Sequence, residues 1–277
     1  MKCTHCGKIV PNDSKYCPWC GQKLPTGETT KPFRLSFDVN GVTFNMIRVE
    51  SGSFLMGANE NEDAIFAAPA HEVIITDDYY IGETQVTQGL WTAVMGRNPS
   101  YFGIDNGSFS DEWMNLPVDN VCFNDCFDFI RELNRQTGIY FRLPTEGEWE
   151  FAARGGRMSM GYLYAGSDDV DEVAWNEQNS HWETHPVALL KPNELGLFDM
   201  SGNVDELCVS DIYGGDVNSL FAKRLNNQNS LQCATRGGDW FEGIWSCRVF
   251  EGVPCDENEK YDANEGGSCG LRLVLQN

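Results

Sequence analysis

Apolar positions along this chain fall into short runs whose period keeps changing. Phe44-Asn-Met-Ile-Arg-Val-Glu50 alternates with period two, as a half-buried strand does, and Ser51-Gly-Ser-Phe-Leu-Met-Gly57 turns through glycine into a second apolar run. His71-Glu-Val-Ile-Ile75, Tyr79-Tyr-Ile-Gly82 and Leu271-Arg-Leu-Val-Leu275 read as further short strands. Three stretches instead take helical spacing. Thr87 is placed to cap a helix carrying Leu90, Trp91, Val94 and Met95 that stops at Gly96. Asn124 is placed to cap another, with Cys126, Phe127, Ile130 and Leu133 inward and a stop near Gly138. The third follows Phe141-Arg-Leu-Pro144: Thr145 and Glu148 make a capping box, Trp149, Ala152 and Ala153 form one apolar stripe, and Gly155-Gly156 ends it.

After Gly156 the periodicity nearly vanishes. Residues 157–277 are rich in Gly, Asn, Asp and aromatic side chains, so this half is expected to be irregular chain pinned by side-chain hydrogen bonds or ions. No repeat and no low-complexity tract interrupts it.

The front of the chain follows another logic. Cys3-Thr-His-Cys6 and Cys17-Pro-Trp-Cys20 are two C-x-x-C knuckles, each followed by a glycine. Four thiolates suit tetrahedral zinc, and a segment this small cannot fold on an apolar core alone. Residues 1–24 therefore read as a four-cysteine zinc ribbon with His5 a bystander, 25–32 as a polar linker with proline at each end, and 33–277 as the main domain. A closed shell makes the ribbon structural or partner-binding, not catalytic. It resembles short zinc ribbons at the front of many bacterial multidomain proteins.

Charge and cysteine usage narrow the classes. Of 277 residues, 20 are basic and 41 acidic, for a net charge of −21. The first 25 residues hold four lysines against one aspartate, so the excess of acid lies in the main domain, which argues against nucleic acid and anionic membrane as partners. No apolar run is long enough to span a bilayer, and the polar cysteine cluster at the start is no secretory segment, so a cytoplasmic location is expected. With that, eleven cysteines read as thiols and metal ligands rather than disulfides. Cys122 and Cys126, four apart, read as small buried hydrophobes, and His71 as a hydrogen-bonded structural residue.

The capped segment Phe141–Gly156 resembles the signature of the formylglycine-generating enzyme (sulfatase-modifying factor) family. Val49–Gly57, Gln85–Gln88, Val94–Phe102, Pro117–Val121, Gly196–Val204, Arg236–Trp240 and Gly270–Val274 look like the same family, in its order. The resemblance implies a C-type-lectin-like α+β fold. It also implies the family's founding chemistry, oxidation of a sulfatase cysteine to formylglycine by oxygen and a copper(I) ion held by two thiolates. Here the second of those cysteines matches Cys247, but the first falls on Glu242, and the active-site serine falls on Asp239. The family's Trp-Glu-Trp reads Asp205-Glu206-Leu207. A hard carboxylate is a poor substitute for a soft thiolate on copper(I), so copper is not expected unless Cys233, Cys255 or Cys269 brings a second sulfur. The resemblance further places a structural calcium at Gly202, Asn203, Val204 and Glu206, and a second at Asn179 and Ser180. Three readings follow: a divergent member that binds a polypeptide or small ligand in its cleft, a copper-dependent oxidase, or an adaptor that docks a protein through the ribbon.

Overall fold

A computed structural model describes Cys3, residues 5–8, Cys17, residues 19–20, Gln22, and residues 31–60, 62–103, 111–210, 232–256 and 268–276. The chain separates into two units, Met1–Phe33 and Arg34–Asn277.

The second unit opens with a hairpin. Strands β1 (Arg34–Val39) and β2 (Val42–Val49) pair antiparallel around Asn40-Gly41, whose φ values of 52° and 86° suit a tight two-residue turn. β3 (Gly52–Met56) pairs β4 (His71–Ile75), and β5 (Tyr79–Gly82) returns to β2. With β6 (Phe141–Arg142) and the final strand β13 (Val274–Gln276) these make a five-stranded sheet of order β1-β2-β5-β13-β6. A second sheet, β11-β10-β9-β12, joins Gly252–Cys255, Cys233–Arg236, Asp205–Val209 and Cys269–Gly270. Separate from both, β7 (Ala174–Trp175) and β8 (Ser201–Gly202) pair over two residues each.

Helix α1 (Gln88–Met95) starts where expected, Thr87 Oγ1 accepting from the Leu90 N–H at 3.2 Å, and ends at a left-handed Gly96. α2 (Phe123–Thr137) starts at Cys122, not at Asn124. The Asp125 carboxylate, in the first turn, accepts from the Cys122 N–H at 3.1 Å, and this contact back to the cap fixes the start. Both helices bury their apolar faces in one cluster, where the Trp91 and Phe129 rings stack 4.7 Å apart. Cys126 is fully buried there, as a small hydrophobe.

α3 (Glu146–Ala153) is the helix of the capping box, with Thr145 Oγ1 to Glu148 N at 3.1 Å and the Glu148 carboxylate back to Thr145 N at 3.0 Å. Its acidic residues reach three arginines. Glu148 pairs Arg142 at 2.6 Å, and Glu150 pairs Arg236 and Arg154. Trp149 Nε1 donates to Glu206 Oε2 at 2.7 Å, and the same carboxylate takes Arg272 through Nε and Nη2. The final strand begins at Val274 rather than Leu271: the Leu271 and Leu273 carbonyls accept from the Val86 and Gly82 N–H groups, so a step of two residues faces a step of four and the regular ladder is interrupted.

One expectation about cysteines fails. β10 and β11 place Cys233 directly opposite Cys255, 5.4 Å apart at Cα, and the two form a disulfide. The register of an antiparallel pair, invisible as spacing along the chain, brings them together. No helix among the described residues is long and apolar enough to cross a membrane.

Glu206 and Arg272 are both wholly buried, so removing one charge strands the other. Glu206→Gln is expected to cost about 3–5 kcal/mol in urea unfolding of the full chain. A loss below about 1 kcal/mol, as for an exposed pair, would refute the role given to this contact.

Candidate functional site

The second sheet builds the site. Strands β9 and β10 run antiparallel with Arg236 opposite Glu206, and β12 runs parallel to β9 with Cys269 opposite Asp205. Beyond Arg236 the chain turns through Gly237 and Gly238 at φ 97° and 70°. A Cβ on Gly238 would come within 2.4 Å of Ser246 Oγ and 2.9 Å of the Cys247 nitrogen, so only glycine lets these two loops close.

That turn delivers Asp239 to the interior. Its Oδ1 accepts from the Phe241 and Glu242 N–H groups at 2.8 and 2.9 Å, and its Oδ2 from the Ser268 N–H at 2.7 Å. Asp205, in β9, accepts from the Gly238 N–H at 3.0 Å. Burial, then the nearby Glu242 carboxylate, pushes Asp239 up to about 7. Asp205 is raised well above the carboxylate range by burial and by Glu242 and Asp239. Glu242 is raised by burial, against the Ser246 hydroxyl. Burial thus favours the protonated form of all three carboxylates, and Glu242 adds to the shift of the other two.

Cys247 is fully buried beside Tyr164, Val173 and Ala174. Burial raises its thiol, Asp239, Glu242 and Asp205 raising it further. The polar neighbour of its sulfur is Ser246 Oγ, at 4.0 Å. Of the three other cysteines that could have supplied a second sulfur, Cys233 and Cys255 are bonded to each other, and Cys269, opposite Asp205 in the sheet, is buried against the α1–α2 cluster with its thiol raised by burial and by Asp205 and Asp239. The aromatic residues between Asp239 and Glu242 pack on other rings: Trp240 meets Phe102 and Phe241 edge-on, and Phe241 meets the exposed Trp182.

The residues marked for calcium have other partners. Asn203 pairs its side-chain amide with the backbone of His185, Oδ1 accepting and Nδ2 donating at 3.0 Å each. The carbonyls of Gly202 and Val204 accept from Gln85 Nε2 at 3.3 and 2.9 Å, and Glu206 is held by Arg272 and Trp149. Asn179 Oδ1 accepts from the Asn176 N–H at 2.9 Å, and the Ser180 carbonyl lies 2.7 Å from His185 Nε2.

In the first unit Cys3, Cys6, Cys17 and Cys20 bring their sulfurs within 4.8 Å of one another, with 3.8 Å from Cys3 to Cys20 and 3.6 Å from Cys6 to Cys17. A tetrahedral ion with bonds of about 2.3 Å sets its sulfurs about 3.8 Å apart, so the cluster fits a metal ion. The N–H groups of Cys6 and His5 lower the Cys3 thiol to about 6, while burial and the neighbouring thiols push Cys20 up to about 12.

The model of the Sulfatase-modifying factor enzyme 1-like domain matches residues 37–277. The chain belongs to this family. The chaperone protein LppX of Paenibacillus barcinonensis is 29% identical over 277 aligned residues, covering 84% of this chain and 90% of that one. The inactive C-alpha-formylglycine-generating enzyme 2 of Bos taurus is 25% identical over 233 residues, 64% of this chain and 74% of its own. Among solved structures, Treponema denticola variable protein 1 superposes with a TM-score of 0.73 at 26% identity, covering 89% of this chain and all of that one. The family's α+β fold is the fold of this chain.

The residue pattern alone does not single out Asp205, although it stands visibly where the family has tryptophan. Its role needs the β9–β10 register, which sets it beside Gly238 and Asp239.

The raised carboxylates make stability depend on pH. The folded state holds protons that the unfolded chain releases near pH 4, so this stabilisation is present at low pH and lost as pH rises through about 7. Asp119 and Asp199, both pushed by burial to about 6, act in the same direction. The melting temperature is expected to rise from pH 8 to pH 6, and Glu242→Gln to raise it by about 2–4 °C at pH 8 while flattening that slope. Scanning calorimetry showing an unchanged slope in the variant would contradict the coupling.

Proposed function

We propose that this chain is a divergent family member without the two-thiolate copper site, and that its cleft binds a polypeptide or small ligand through a basic group. The carrying observation is the replacement of the matching thiolate and serine by Glu242 and Asp239, joined by Asp205 near a buried Cys247. One thiol cannot complete a two-coordinate copper(I) shell, and a carboxylate is too hard to help it. Three interacting acids suit an ammonium or guanidinium, which takes several oxygens at once. The aromatic residues between Asp239 and Glu242 suit the stem of such a side chain. A chaperone among the relatives and an inactive enzyme among the others agree with binding in place of oxidation.

In this reading the four-cysteine cluster holds zinc as a folding or docking module. Elemental analysis is expected to find about one zinc per chain, lost in Cys17→Ser, as a tetrahedral thiolate site requires.

The deciding experiment is copper(I) titration with oxygen uptake on a cysteine-containing sulfatase peptide. No stoichiometric copper and no formylglycine are expected, whereas a lysine-rich peptide is expected to bind more tightly at pH 8 than at pH 6, as the carboxylates ionise. Formylglycine formation would overturn the reading.

A further inference from the structure

The loop from Asp199 to Val204 turns three backbone carbonyls toward one point, and a side chain occupies that point. Gln85 Nε2 lies 3.2 Å from the Asp199 oxygen, 3.3 Å from Gly202 and 2.9 Å from Val204. Gln85 is 1% exposed, and its Oε1 is buried without a partner. Converging carbonyls on a glycine turn are what a hard cation uses, and the resemblance to the formylglycine-generating family puts calcium at this loop.

We propose that the Gln85 amide stands in for that ion and that this domain folds without calcium. The donors present fit the amide better than they fit calcium. Two amide hydrogens shared among three carbonyls satisfy all of them, at the cost of one orphaned oxygen. Turned over, the amide would point Oε1 at three like-charged oxygens, a contact that a bound cation would relieve. The surroundings disfavour that cation. Arg272 Nη2 already donates to the carbonyls of Phe198 at 2.8 Å and Asp199 at 3.3 Å. The same guanidinium neutralises Glu206 and takes both its oxygens, which removes the carboxylate that the calcium would need. Asp199, the other acid of this loop, spends Oδ2 on the Ala188 N–H at 2.8 Å. A divalent ion would then sit beside a buried guanidinium with little negative charge to offset it.

Two measurements on the full chain test this, with calcium alone as the probe. Adding about 10 mM calcium chloride, above the dissociation constants of even weak calcium modules, is expected to leave the melting temperature unchanged, and elemental analysis to find well under one calcium per chain. One calcium per chain, or a rise of several degrees, would overturn the proposal. Gln85→Glu puts a carboxylate among the three carbonyls. It is expected to melt lower than wild type without calcium and to recover with it, because the cage then needs an ion. A variant as stable as wild type and indifferent to calcium would show that the loop is no cation cage, which also overturns the proposal. Should the variant fail to fold, the wild-type pair of measurements still decides. None of these outcomes depends on what the acidic cleft binds.

Discussion

A guanidinium and a carboxylate, each at 0% exposure, meet in the interior of the main domain. Arg272 grips Glu206 through Nε and Nη2, and Trp149 closes on the same carboxylate. Four pieces of chain distant in sequence are joined there: helix α3, strand β9, the loop at Phe198–Asp199 and the segment leading into the last strand. A buried ion pair is not a large source of net stability, because desolvating both charges consumes most of the attraction. What it does is forbid alternatives, since any other arrangement leaves a bare charge inside. In a domain whose second half has so few regular hydrogen bonds, that restriction holds the irregular loops in one conformation.

The acid cluster follows from this frame. With β9 fixed by Glu206, the preceding residue Asp205 is delivered to the mouth of the Gly237-Gly238 turn, and the turn delivers Asp239 to the same place. Placing carboxylates together in a desolvated site costs free energy, visible in the raised protonation of all three. A basic group would recover that cost, and so would protons. At Gln85 a buried amide likewise meets three backbone carbonyls of the Asp199–Val204 loop.

Much of this is legible in the amino-acid order, and the failures have physical reasons. The two caps at Thr87 and Thr145 and the stops at Gly96 and Gly155 depend on four or five neighbouring residues, and they stand where the pattern puts them. Asn124 does not cap its helix because Asp125 returns its carboxylate to Cys122, a competition that spacing does not resolve. The Cys233–Cys255 bond and the partners of Asn203 and Glu206 are long-range facts. They are set by strand register and by Arg272, which lies 66 residues from Glu206. The substitutions at 239 and 242 are legible as departures from a family pattern, but their joining with Asp205 is not.

Copper-edge anomalous diffraction from crystals grown with copper(I) would test the central claim most directly. The account predicts no copper peak beside the Cys247 sulfur, with the acids and the thiol placed as described. A full-occupancy peak bonded to that sulfur and to a second protein ligand would contradict it.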